Sequence, residues 1–431
     1  VIEKMKAFGG NSIISDGGIA APGTDLQKKY GIKDSADLMY QDIIKAGMGI
    51  NNKALIRILV ENAKDAFDWS VLHLGVPYMD RVDIFGGHSV PRCYAADNIT
   101  GATIIKKLME KLHALNVEMV KETYLEEILT KDDEVVGISV REGYDYRDND
   151  SGNRLNIRAK RGVILAAGGF GSDISFRKKY DGRLDESIDS TNKPFATAEV
   201  IKTAMKIGGA TVDMEHIQLG PWASPDEKGY GVGPMFSEYI VFQRGIIIDP
   251  KKGTRFINEL ADRKTISDKL LSIGHPCIGI ADGKGVKESG WDISKALEKN
   301  VVRGFKSIKE LSDYYNINHE ALIDTIDEFN DCIDLGISDE YGKTLLSECK
   351  KIENAPYYAM RLWPKVHFTM GGLKINEKAQ VLDSSSKPIK KLYAAGEITG
   401  GIHGASRLGS CSITDCFVFG RIAGKEISKV R

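Results

Sequence analysis

The chain has 431 residues, 59 basic against 60 acidic, for a formal net charge of −1. That length allows two or three domains, each with its own core, and the near balance of charge argues against nucleic acid or an anionic membrane as the main partner. The longest apolar runs, such as GVILAAGGFG, are far too short to span a bilayer. The six cysteines, Cys93, Cys277, Cys332, Cys349, Cys411 and Cys416, form neither a CxxC pair nor a CxxCH haem site. No metal site is therefore expected, and a disulfide framework is not expected at this density and length. The compartment stays open between cytoplasm and periplasm.

The first residues, VIEKMKAFGGNS, read as the end of a buried strand, an acid and a glycine-rich loop. In a dinucleotide-binding unit the second strand ends in an acid that takes the ribose hydroxyls, about 20 residues after a GxGxxG turn. Glu3 fits that acid, and the turn would fall before residue 1. The given chain is thus expected to lack the first strand, the phosphate-binding turn and the following helix. Residues 34–47 then predict a helix, with Asp34 or Ser35 as N-cap and Gly47 as its stop. A second helix continues from Leu55 to Trp69. Residues 117–143 alternate like two strands turning at Lys131–Glu134, and 144–156 read as a polar loop.

RGVILAAGGFGSD (161–173) is a continuous apolar run ending in small residues, which predicts a strand buried on both faces. KKLYAAGEITGG (390–401) repeats the pattern of strand, small residues, glycine and acid. Ligands of open α/β sheets sit at the carboxyl ends of strands, where small residues let the backbone approach them. Three such runs over nearly the whole chain imply a discontinuous domain folded around one large cofactor. From residue 215 to about 367 the character changes: a Pro/Gly-rich opening, strands around 240–249, and a helix in NINHEALIDTIDEFNDCIDLG. Its Leu322, Ile326, Phe329 and Ile333 line one face, and Gly336 ends it. The expected class is α/β, with a discontinuous Rossmann-like cofactor domain (1–214 and 368–431) and an inserted α+β domain (215–367).

GGIHGASRLGS (400–410) sets one arginine, Arg407, among glycines and small residues. Small neighbours allow close approach, and an isolated guanidinium waits for an anion. Taken with IEK…GGNS…DGG, VILAAGGFG, FINELADR, HFTMGG and FGRIAGKEI, this segment resembles the fumarate reductase/succinate dehydrogenase flavoprotein family. The soluble flavocytochrome c-type unsaturated-acid reductases are the most alike. The resemblance runs over essentially the whole chain. It implies an FAD-binding domain, a mobile capping (substrate-clamp) domain and a substrate held against the flavin. By motif, Glu3 would hold the adenosine ribose, while Asn11, Ser12, Gly17 and Gly18, with Lys4 and Gly10, would line the pyrophosphate and flavin. Ala166, Gly168, Glu397, Ser412 and Ile413 would complete the envelope. Membrane-bound members attach FAD to a histidine in a Ser-His-Thr stretch. The matching NSIISDGG has none, so non-covalent FAD is expected.

Reducing an activated C=C needs a hydride on one carbon, a proton on the other, and charge stabilisation at the conjugated carboxylate. The resemblance implies that His367 and Arg407 grip that carboxylate and that Arg263, in ELADRK, delivers the proton. Arginine is nearly always protonated, with a pKa above about 12. A carbanion beside a carboxylate is basic enough to take a proton from so weak an acid. Reprotonation calls for a relay, for which Glu238 in FSEYIVFQRG is the candidate acid and Arg244 a second partner. Each of these residues alone reads as surface or core; their joint order in one set of motifs marks a site. His88, His216 and His403 read as structural.

The pattern departs from the family at IQLGPWASP. Dicarboxylate-using relatives carry Gln-x-His-Pro there, with a histidine for the far carboxylate, where this chain has Gly220, Pro221 and Trp222. Losing that donor would cost a second carboxylate roughly 1–3 kcal/mol or more in a dry pocket. A glycine also opens volume, Trp222 offers an apolar wall, and Ser410 lies beside Arg407. Tyr239 and Phe242 point the same way if they face the pocket. The expected substrate is a monocarboxylate or a bulkier enoate rather than fumarate. The family's Gly-Asp-Gly becomes TAEVI (197–201), and its Gly-Asn-Ala becomes SCS (410–412). The leading reading is an FAD-dependent reductase of an α,β-unsaturated carboxylate in anaerobic electron transport. A separate cytochrome, quinol-linked or flavin/iron–sulfur donor would feed it. The alternatives are a true fumarate reductase, a succinate- or steroid-type dehydrogenase, and a non-catalytic FAD-binding electron-transfer subunit.

Overall fold

The computed structural model describes residues 1–343 and 351–430; Cys349 lies outside them. Two compact units emerge, one of Val1–Asp185, Asn192–Gln218 and Phe368–Arg431, the other of Glu186–Thr191 and Leu219–His367. The short contribution 186–191 to the second unit has no counterpart in the sequence reading.

In the first unit the helices follow their caps. The helix Ala36–Ala46 starts where the Ser35 hydroxyl accepts from Leu38 N at 3.1 Å, and Gly47 follows its end. Asp34, the other candidate cap, binds Arg92 instead. Asn52 caps the long helix Lys53–Leu72, which packs against the C-terminal helix Cys411–Ser428. The hairpin Thr123–Lys131 and Glu134–Glu142 turns through Asp132 and Asp133, both at positive φ. A two-residue turn of that kind matches strand twist.

Glu134–Glu142 carries two further neighbours: antiparallel Asn153–Arg158 and, through Lys390, parallel Pro388–Ala394. Residues 153–156 are therefore strand, not loop. All six side chains of that strand are exposed; Leu155 and Ile157 alternate with Arg154, Asn156 and Arg158, but the apolar face is uncovered and the backbone ladder makes the strand. The apolar run after Arg161 gives a strand of three residues, Val163–Leu165, parallel to Pro388–Ala394. It is not buried on both faces: Ile164 is 38% exposed and Ala166 and Ala167 are exposed. Among the described residues this strand pairs along one edge only. Val1 and Ile2 likewise form no buried strand end; Val1 is exposed and Ile2 makes a single parallel bridge to Val120.

The second unit is built on an antiparallel sheet ordered Thr254–Arg255, Ile246–Asp249, Cys277–Asp282, Tyr357–Leu362 and Arg303–Phe305. Ile246 and Ile248 alternate on one strand and Ile278 and Ile280 on the next, which puts four branched side chains into one core. The helix His319–Leu335 adds Leu322, Ile326 and Phe329 to that core and ends at left-handed Gly336. Strand begins only at Ile246, because residues 237–244 are helical and almost wholly buried. A short apolar run surrounded by protein reads the same in either state.

Candidate active site

Within the second unit, the candidate residues meet on one indole. Trp222 is 1% exposed, and Ser237 Oγ donates to its carbonyl at 2.6 Å. The His367 imidazole stands edge-on to it, with ring centroids 4.8 Å apart at 80°. The Arg263 guanidinium lies 5.7 Å from the indole centroid, within cation–π range. Arg263 Nη2 also donates to Glu238 Oε1 in an ion pair whose side chains are 12% and 7% exposed. Arg263 opens the helix Arg263–Ile273, capped by Asp262. Thr191 Oγ1 is 2.8 Å from His367 Nδ1 and fixes the ring's orientation.

Gly220 does not open volume. A Cβ there would stand 2.8 Å from Trp222 Cζ2 and 3.0 Å from Cε2 and Cη2, so the indole itself fills the space a side chain at 220 would take. The reason is local: the chain folds back within two residues and brings the ring over the glycine. Tyr230 backs the indole at 5.4 Å. Tyr239 rests on Trp291 at 4.3 Å, Phe242 is 7% exposed and Arg244 is half-buried.

Within the first unit, Arg407 is 4% exposed and lies 4.6 Å from the Phe368 ring centroid. The backbone around it is held carbonyl by carbonyl. Gln218 Nε2 donates to Arg407 O at 2.8 Å, and Arg407 Nη1 donates to Leu408 O at 2.7 Å. Phe368 meets His403 edge-on at 5.7 Å, and His403 Nε2 is 3.3 Å from Asp415 Oδ2. Glu397 accepts from Thr369 N at 3.0 Å. Its burial pushes the carboxyl up to about 7 against the opposing pull of Thr369 and the Arg407 charge.

The cofactor candidates fall on three stretches of this unit. Gly17 has φ +71°, and a Cβ there would lie 2.9 Å from Ala96 Cβ and 3.0 Å from the Thr100 backbone. At Gly18 a Cβ would lie 2.6 Å from Ser410 Oγ. That contact brings the glycine turn to the start of the helix Cys411–Ser428, where Ser412 and Ile413 form the first turn. Ser12 and Ile413 also line a mainly apolar cavity of about 330 Å³ with Trp69, Ile104 and Phe417. At the third stretch, a Cβ on Gly169 would lie 2.2 Å from Thr369 Oγ1 and 2.4 Å from Glu397 Oε1. Gly10 and Gly168 have positive φ and open space where a Cβ would stand, and Ala166 is exposed.

A glycine cradle, bare small residues at a strand end and a helix N-terminus suit a phosphate-bearing ligand with close backbone contact. The residues present fit FAD. Three candidates have protein partners: Lys4 pairs with Glu199 at 2.6 Å, Asn11 Oδ1 accepts from Lys193 N at 2.8 Å, and Glu3 Oε1 accepts from Met5 N at 2.9 Å. Sequence reasoning missed Thr191, Tyr230, Gln218 and Phe368. Phe368 stands inside HFTMGG and Gln218 inside IQLG, so both were within quoted motifs; Thr191 carries no local signal.

Residues 1–413 match the FAD binding domain family. The chain is 41% identical over 433 residues to the acrylate reductase flavoprotein subunit of Shewanella woodyi, covering 99% of this chain and 85% of that protein. It is 35% identical to the urocanate reductase of Eggerthella lenta over 437 residues, 98% of this chain and 69% of that one. A solved open conformation of a flavocytochrome c3 fumarate reductase superposes with a TM-score of 0.75 at 29% identity, covering 99% of this chain and 73% of that one. The α/β architecture, the glycine cradle and these matches together place the chain in the FAD-binding domain family, among the fumarate reductase/succinate dehydrogenase flavoproteins, as an FAD-dependent oxidoreductase.

Proposed function

We propose that the protein reduces the C=C bond of a small α,β-unsaturated monocarboxylate, of the acrylate type, with electrons from a separate donor protein. Bound FAD, once reduced, supplies the hydride. The chain's own residues do the rest. His367 and Arg407 take the substrate carboxylate and stabilise the charge that grows on it as the double bond is reduced. Arg263 gives a proton to the adjacent carbon, and Glu238, ion-paired to it, passes a proton back. Burial of the Arg263–Glu238 pair shields the transfer between them from bulk water. Glu3, Gly10, Asn11, Ser12, Gly17, Gly18, Ala166, Gly168, Glu397, Ser412 and Ile413 would hold the cofactor non-covalently, with Lys4 at the edge of that set.

The observation that carries this reading is the single indole of Trp222, in contact with both His367 and Arg263 while Glu238 backs the arginine. The same indole favours a small substrate. It fills the space beside Gly220, where dicarboxylate-using relatives present a donor, and it offers a far carboxylate an apolar face. The bulkier enoate loses its support for the same reason, since no volume is gained at 220.

The test compares acrylate and methacrylate with fumarate, cinnamate and urocanate, using reduced viologen as donor. Acrylate should give the highest kcat/KM, and a strong preference for fumarate refutes the monocarboxylate reading. In the same assay Arg263→Lys and Arg263→Gln should retain FAD and lose 10²-fold or more in kcat, on the scale of general-acid catalysis. Full turnover in either variant removes Arg263 as the acid.

A further inference from the structure

The turn that carries Arg407 is held from below by a buried chain of charges that ends on its backbone. Arg92 is 0% exposed. It makes two parallel hydrogen bonds of 2.9 Å to the Asp34 carboxylate, and its Nη1 also donates to Asp42. The same Nη1 lies 3.1 Å from His88 Nδ1, and His88 Nε2 lies 3.0 Å from Gly409 O. Arginine has only donors, so Nδ1 must accept and Nε2 must carry the proton that goes to the Gly409 carbonyl. Burial and the Arg92 charge push the imidazole down to about 4, which keeps this neutral tautomer in place. The Cys93 sulfur flanks the same nitrogen at 3.6 Å.

A second contact shows how closely the loop bearing Phe85 and His88 fits the turn. A Cβ on Gly409 would lie 2.7 Å from Phe85 Cβ and 2.9 Å from its ring carbons, so the loop bearing Phe85 and His88 leaves room only for glycine. With Gln218 on Arg407 O and the Arg407 side chain on Leu408 O, the His88 bond completes a run of three fixed carbonyls, 407, 408 and 409. The guanidinium folds back over its own turn, so its position follows that backbone.

We propose that His88, oriented by Arg92, is a positioning residue for Arg407, acting through the Gly409 carbonyl to set where the substrate carboxylate is gripped. This rests on the reading that Arg407 takes the carboxylate. The experiment uses the FAD-loaded protein with acrylate and reduced viologen. His88→Phe removes both ring nitrogens and should raise KM about tenfold or more, with less than a threefold fall in kcat and unchanged flavin content. His88→Gln keeps an acceptor for Arg92 and an N–H that reaches Gly409, and should restore KM to within about threefold of the wild type. His88→Asn keeps the acceptor alone; it should behave like the Phe variant, and it decides the matter if His88→Phe fails to retain flavin.

In an Arg407→Lys background, His88→Phe should add less than twofold to KM. An unchanged KM in His88→Phe and His88→Asn overturns the proposal, and so does an undiminished effect in the Arg407→Lys background. If Arg407→Lys alone alters neither KM nor kcat, the carboxylate role of Arg407 falls instead, whatever the His88 variants do.

Discussion

Replacing Glu397 by glutamine tests the electrostatics of the first unit. The carboxyl is partly buried, and burial raises it from an ordinary 4.5 to about 7. The folded state therefore holds a proton more tightly than the unfolded chain. Below pH 4.5 both states are protonated and Glu397 makes no difference to stability. Between 4.5 and about 7 stability falls as pH rises, because the folded state binds more protons. Above 7 the whole penalty is present. At about 1.4 kcal/mol per unit it amounts to roughly 3 kcal/mol. Glutamine keeps an oxygen to accept from Thr369 N and has no charge to desolvate. Urea unfolding at pH 5, 6.5 and 8, with FAD at the same saturating concentration, should show the variant gaining on the wild type as pH rises. The difference should approach about 3 kcal/mol at pH 8. Parallel pH curves for the two proteins would refute the reasoning.

Three other outcomes follow from the geometry. Trp222→Ala should cost roughly 3–5 kcal/mol in unfolding experiments, the scale for deleting a buried aromatic, and should raise cinnamate turnover relative to acrylate by vacating the space beside Gly220. Arg92→Met strands the Asp34 and Asp42 carboxylates in a buried site and should destabilise the fold by roughly 3–5 kcal/mol, measured by chemical denaturation at neutral pH. Acid precipitation of the FAD-loaded protein should leave the flavin in the supernatant; a fluorescent protein band on a denaturing gel would contradict non-covalent binding.

The amino-acid order alone determined the elements whose signals are local. Ser35 and Gly47 bound a helix because a hydroxyl cap and a glycine act within one turn. The face Leu322, Ile326 and Phe329 follows from helical periodicity alone. The motif order through HFTMGG and ASRLG singled out His367 and Arg407 as candidates by resemblance to the family. Tertiary structure decided what depends on distant neighbours. Among the described residues it left Val163–Leu165 paired along one edge, since coverage belongs to the residues packed on a strand and not to the strand. It turned 237–244 into helix, because the short apolar run 239–242, buried in the protein, reads alike as strand or helix. It also gave the space at Gly220 to Trp222 and set His88 under Gly409, because a volume or a hydrogen bond goes to whichever atoms the folded chain brings within a few ångströms.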